Sequence, residues 1–157
     1  MTSRHRVPSL LAKVGTASAL SLVAVGGTLV VPGAANQADA ASAGGKAVKV
    51  AASKKGAPYK WGAAGPRRFD CSGLTLYSFK RVGKSLPRTA AAQRNKTRRI
   101  STGQRQRGDL VFFHSRGGVY HVGIYAGRGR IWHSPKAGDV VRLQKIWTRG
   151  VSYGRVQ

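Results

Sequence analysis

FDCSGLTLYSF, residues 69–79, decides how this chain is read. Asp70 is a good helix N-cap, because its carboxylate can accept the free amide hydrogens of a first turn. Leu74, Tyr77 and Arg81 then share one face, and Gly83 stops the run, so a helix is predicted over Cys71–Val82. This puts the only cysteine of the chain at a helix start. Free amides and the partial positive charge there favour a thiolate, the reactive form of cysteine. The same amides can hold an oxyanion on a carbon that the sulfur attacks. The competing reading of a lone cysteine is a small buried apolar side chain.

Upstream, residues 59–69 are irregular and Gly-rich, and KAVKVAASKK (46–55) has helical spacing that ends at Gly56 and Pro58. Residues 41–45, ASAGG, read as a flexible leader. Downstream, Pro87–Thr102 holds a short Ala-rich helix opened by Thr89 and then a basic loop. The period then changes. LVFF (110–113), HVGIY (121–125), RIWHS (130–134), DVVRL (139–143) and a last segment in 151–156 read as strands parted by Gly-containing turns. Helices first and strands later, with short connections, predict an α+β domain: N-terminal helices packed on a mainly antiparallel sheet of about five strands.

The N-terminus has another character. Arg4, Arg6 and Lys13 precede an uncharged apolar run from Val14 to Val31, and Ala38 and Ala40 follow in A-x-A spacing. That is the layout of a secretory signal. Residues 1–40 are therefore expected to be a signal peptide, 41–45 the leader and 46–157 the folded domain, with the protein secreted and extracellular.

The 157 residues carry 28 Lys+Arg against 4 Asp+Glu, a net charge of +24. All four acids are aspartates. Removing residues 1–40 takes three bases and one acid, leaving 25 against 3, or +22. So few carboxylates exclude paired-acid glycosidases and oxygen-ligand metal cages. One cysteine excludes an internal disulfide. The charge calls for an anionic partner.

A nucleophilic cysteine needs a base, and the base an orienting group. His121 opens one expected strand and His133 lies in the next. A turn near Ala126–Gly129 can bring the two together, with Ile131 and His133 on one face and Trp132 on the other. His121 is then the base and His133 fixes its tautomer; the alternative is two satisfied or surface histidines. His114 reads as a loop residue. No short-spaced ligand pair supports zinc, and neither G-x-S-x-G nor a Walker or dinucleotide motif is present. No cofactor and no metal are expected.

Four blocks in this order, GAPYKWG (56–62), FDCSGLTLYSF (69–79), LPRTAAAQ (86–93) and GDLVFF with HVGIYAG and IWHSP (108–135), resemble the NlpC-type (NlpC/p-sixty) cell-wall endopeptidases. The resemblance spans about residues 46–157. It implies a papain-like cysteine peptidase that cuts peptidoglycan stem peptides between D-γ-glutamyl and a diamino acid. It also implies Cys71 as nucleophile, His121 as base and His133 as its orienting partner. Tyr59, Asp70, Ser72 and Arg88 fall on or near oxyanion and substrate-binding positions; Asp70 keeps its alternative role as a cap. Ala63 departs from the family pattern, which often has a second glycine there.

The expected partners are stem peptides and, through the basic surface, anionic wall polymers; nucleic acid is not expected, and neither is stable membrane insertion after signal cleavage. A monomer is expected. The competing functions are an N-acetylmuramyl-L-alanine amidase or transpeptidase on the same site, and a cationic wall-binding or antimicrobial protein with a vestigial site.

Overall fold

Asp70 turns the Gly-rich loop into a helix, and the rest of the site is arranged around that corner. Its side chain accepts from the Gly73 amide at 2.7 Å, capping helix α2 (Cys71–Lys80). Gly73 itself is required by close approach. A Cβ there would stand 2.0 Å from the Ala63 carbonyl oxygen, which also accepts from the Asp70 amide. α2 buries Leu74, Thr75, Ser78 and Phe79. Each large apolar side chain buried this way contributes roughly 1.5–3 kcal/mol before entropy is counted.

The computed structural model describes residues 32–157. Helix α1 spans Pro32–Ser53 and helix α3 spans Ala90–Lys96, the latter capped by Thr89 as the sequence suggests. Six strands follow: β1 (Arg98–Ile100), β2 (Leu110–Ser115), β3 (Gly118–Gly127), β4 (Arg130–His133), β5 (Arg142–Lys145) and β6 (Val151–Arg155). They form one sheet in the order β1-β6-β2-β3-β4-β5, and every pairing is antiparallel. The α+β expectation holds, with the helices packed on one face of this sheet.

The alternation of side chains along the strands builds two cores. Leu110, Phe112, Val122 and Ile124 meet Leu74 and Phe79 of α2 and Ala47, Val48 and Ala51 of α1. On the other face Val111, Phe113, Tyr125, Ile131 and Tyr153 pack together, and this is the face that carries His121 and His133.

Several expectations need correction. Residues 41–45 are helical, not a leader, and they belong to α1. Ala43 is buried, and Gly44 packs on Gly108: a Cβ on Gly108 would meet the Gly44 backbone at 2.3 Å. Gly44 thus serves a close crossing rather than flexibility. The first 31 residues of the expected signal lie outside the described residues, and the expected cleavage point after Ala40 falls within α1.

The basic loop after α3 contains a strand, β1, so the sheet has six strands rather than about five. Arg98 and Arg99 are exposed on that edge, where charge discourages pairing with another chain. The strand expected at 139–143 begins later, at Arg142, because Val140 bridges Pro58 and buried Val141 bonds Ala57 and Gly56 instead. His114 is not in a loop. It lies in β2, where its Nε2 meets Ser152 Oγ at 2.7 Å.

Candidate active site

Cys71 is half-buried at the first residue of α2. It lines a hollow of about 370 Å³ with Trp61, Gly62, Ser72, Arg88, Val119 and Tyr120. Asp70 is the hub beneath it. One carboxylate oxygen takes the Gly62 amide at 2.9 Å, and the other takes the Gly73 amide and Arg88 Nη1 at 3.0 Å. Arg88 Nη1 also donates to Ser72 Oγ at 3.0 Å. Asp70, Ser72 and Arg88 are thus one cluster, and both Asp70 oxygens are engaged in holding the loop, the helix and Arg88.

Gln93 completes this support and was not singled out from sequence. Its amide donates to the carbonyls of Ser72 and Pro87, both at 2.9 Å, and accepts from Thr75 Oγ1. It therefore ties the cysteine's helix to the segment that carries Arg88. Gln93 closes the block LPRTAAAQ, but a glutamine at the end of an Ala-rich run has no chemistry that marks it as a support for the cysteine.

His121 and His133 meet across β3 and β4. The register places Ile124 opposite Trp132 and Tyr125 opposite Ile131, which puts both histidines on the same face. His121 Nε2 lies 2.9 Å from His133 Nδ1, and His133 Nε2 lies 3.0 Å from Gln144 Oε1. Trp147 covers the pair. It stacks on Phe113 at 4.2 Å between centroids and stands 5.7 Å from His121 and 5.5 Å from His133. Neither Gln144 nor Trp147 was anticipated; both lie beyond the recognised blocks. With Tyr120, Lys136, Asp139 and Arg142 they line a second hollow of about 420 Å³. Tyr120 borders both hollows, and Ser134 Oγ donates to the Phe69 carbonyl at 2.8 Å, pinning the end of β4 to the loop before Cys71. Among the described residues, neither ring nitrogen of His121 is hydrogen-bonded to the Cys71 sulfur; the sulfur feels the backbone of Val122, the next residue, instead.

The electrostatics of the resting site differ from the sequence expectation. Burial pushes the Cys71 thiol up, and the Asp70 carboxylate adds to the rise; backbone contacts from Val122 and Ser72 and its own amide oppose it without winning. Burial, with His133 beside it, lowers His121 to about 3. Burial lowers His133 to about 4, against the pull of Gln144. These shifts favour a resting thiol and neutral imidazoles over a thiolate–imidazolium pair. Tyr59 is half-buried, its hydroxyl raised by burial and by the nearby Cys71 and Asp70 charges, with Arg88 opposing. Its backbone bridges Phe69, two residues before Cys71, on the cysteine side of the site.

A cysteine at a capped helix start, packed against an antiparallel sheet whose strands carry a histidine pair, is the papain-like α+β arrangement. The chain belongs to the NlpC/P60 family, whose model matches residues 56–154. A Corynebacterium glutamicum protein named "Probable endopeptidase" is 48% identical over 100 residues, covering 64% of this chain and 46% of that protein. A Bacillus subtilis protein named "Bifunctional muramidase/DL-endopeptidase" is 42% identical over 120 residues, covering 70% of this chain and 36% of the relative. Among solved structures, the NlpC/p60 domain of the peptidoglycan hydrolase SagA superposes with a TM-score of 0.64 at 35% identity, covering 73% of this chain and 97% of that one. The chain spans about half or less of the length of the curated relatives it matches.

Proposed function

We propose that this chain is a secreted cysteine endopeptidase that hydrolyses peptidoglycan stem peptides at the bond between D-γ-glutamyl and a diamino acid. The observation that carries this reading is Cys71 at a capped helix start, with a His121–His133 pair on the strands packed beside it. The names of the relatives, endopeptidases and peptidoglycan hydrolases, support the substrate class.

In the proposed reaction Cys71 Sγ attacks the γ-carbonyl carbon as its proton passes to His121. The Cys71 amide, with the Tyr59 hydroxyl, takes the developing oxyanion. Collapse breaks the C–N bond and His121 returns the proton to the departing amine. A water deprotonated by His121 then attacks the thioester, which releases the γ-carboxyl product and restores the thiol. Because the resting partners are neutral, proton transfer accompanies attack. Neither metal nor cofactor takes part in these steps. Muropeptide digestion tests the reading: Cys71→Ala should lose at least about a thousand-fold in activity, and an undiminished rate would overturn it.

The same reading extends to the surface. Asp70, Asp109 and Asp139 each form an ion pair with an arginine, namely Arg88, Arg155 and Arg142. The remaining bases around them face no carboxylate of these three, and Lys96, Arg98, Arg99 and Arg107 stand exposed in one segment leading into and out of the β1 edge. This supports retention of the secreted protein on anionic polymers, which for a wall enzyme are those of the wall. Salt should weaken such retention steeply; wall binding that persists unchanged in high salt would contradict it.

A further inference from the structure

We propose that Gln144 is a positioning residue that locks both histidines into single tautomers, leaving Nδ1 of His121 as the unprotonated base. Gln144 lies on edge strand β5, opposite Ile131 and diagonal to His133, so its side chain shares their face. Its Oε1 is 3.0 Å from His133 Nε2 and 2.9 Å from Arg142 Nε.

Arginine has donors only. The atom of Gln144 that faces Arg142 must therefore be the carbonyl oxygen, since a flipped amide would set N–H against N–H. Arg142 is itself held by Asp139. With the oxygen fixed, His133 Nε2 must carry the hydrogen that Gln144 accepts. A neutral His133 then has a lone pair on Nδ1. The 2.9 Å contact to His121 Nε2 requires a hydrogen on His121, which leaves His121 Nδ1 bare. Each assignment follows from the one before, and the chain starts at Arg142. When His121 takes a proton at Nδ1, its Nε2–H bond to His133 persists, so the relay needs no rearrangement during the reaction.

The inference rests on the reading of His121 as the base, but the lock has a signature independent of activity. Long-range ¹H–¹⁵N spectra of the imidazoles at neutral pH distinguish the two tautomers. In the unaltered protein both rings should be the Nε2–H form. Gln144→Met keeps the length and removes the acceptor; both rings should then show mixed tautomers, and kcat should fall about ten- to a hundred-fold. Gln144→Glu restores an acceptor for His133 Nε2–H and should recover the single tautomers and most of the lost kcat. A purely structural role would make the two variants equivalent. An Nδ1–H form of His133 in the unaltered protein, single tautomers retained in Gln144→Met, or mixed tautomers with undiminished kcat would each overturn the proposal. An intact lock in a protein that cleaves no wall peptide would instead overturn the assignment of the reaction.

Discussion

His121 Nε2 faces His133 Nδ1 at 2.9 Å, which leaves His121 Nδ1 as the ring nitrogen available to a thiol or a substrate. The nitrogen that acts as base is thus chosen by a strand pairing. The residues that create the pairing, the β3–β4 turn with Arg128 and Gly129 at positive φ, lie remote from the reacting atoms.

Reactivity of Cys71 should reflect a raised thiol. Its alkylation rate with iodoacetamide should climb continuously from pH 5 to beyond the ordinary cysteine value of about 8.5. A resting ion pair would instead give a plateau through the neutral range. Rates measured across that window by mass spectrometry decide between the two, and a plateau would refute the neutral resting site.

Acid should destabilise the fold through the histidine pair. Both rings are depressed, to about 3 and about 4, from an ordinary value of 6.5. Below about pH 6.5 the unfolded chain binds protons that the folded chain refuses, so stability is complete above that value and falls as pH drops towards the folded values. At pH 5 the cost is about 2 kcal/mol per ring. Urea midpoints at pH 7.5 and pH 5 should show the loss, and His121→Gln should remove part of it. Equal midpoints at the two pH values would count against burial of neutral rings.

Asp70→Ala removes the α2 cap, the tie to Gly62 and the partner of Arg88 together. Loss of a cap with neighbouring hydrogen bonds should cost roughly 2–3 kcal/mol in urea denaturation. The helix start would loosen, so kcat should fall as well. Arg88→Ala should cost less, because Arg88 is partly exposed and the backbone amides of Gly62 and Gly73 still satisfy the carboxylate. If Asp70→Ala kept full stability, the hub role would be wrong.

Much of this was legible in the chain. Asp70 and Thr89 cap the helices they were expected to cap, and the spacing of His121 and His133 about a Gly-containing turn anticipates their contact. The failures have physical causes. Strand β1 is hidden because Arg98 and Arg99 sit on an exposed edge, where charge suits an edge but reads as a loop. The glycines of ASAGG look flexible locally, yet Gly44 is required by the crossing with Gly108, a contact 64 residues away along the chain. Gln93, Gln144 and Trp147 support the site mainly through contacts distant in sequence, which leave no periodic trace. The thiol shift was misjudged because helix-start amides are local and readable, whereas burial and the pull of a fixed carboxylate emerge only in the folded chain.

Digestion of defined peptidoglycan, followed by mass identification of the new termini, tests the central claim most directly. The account predicts a free γ-carboxyl on D-glutamate and a free amine on the diamino acid, both absent with Cys71→Ala. Cleavage between N-acetylmuramyl and L-alanine, or the same fragments from Cys71→Ala, would contradict it.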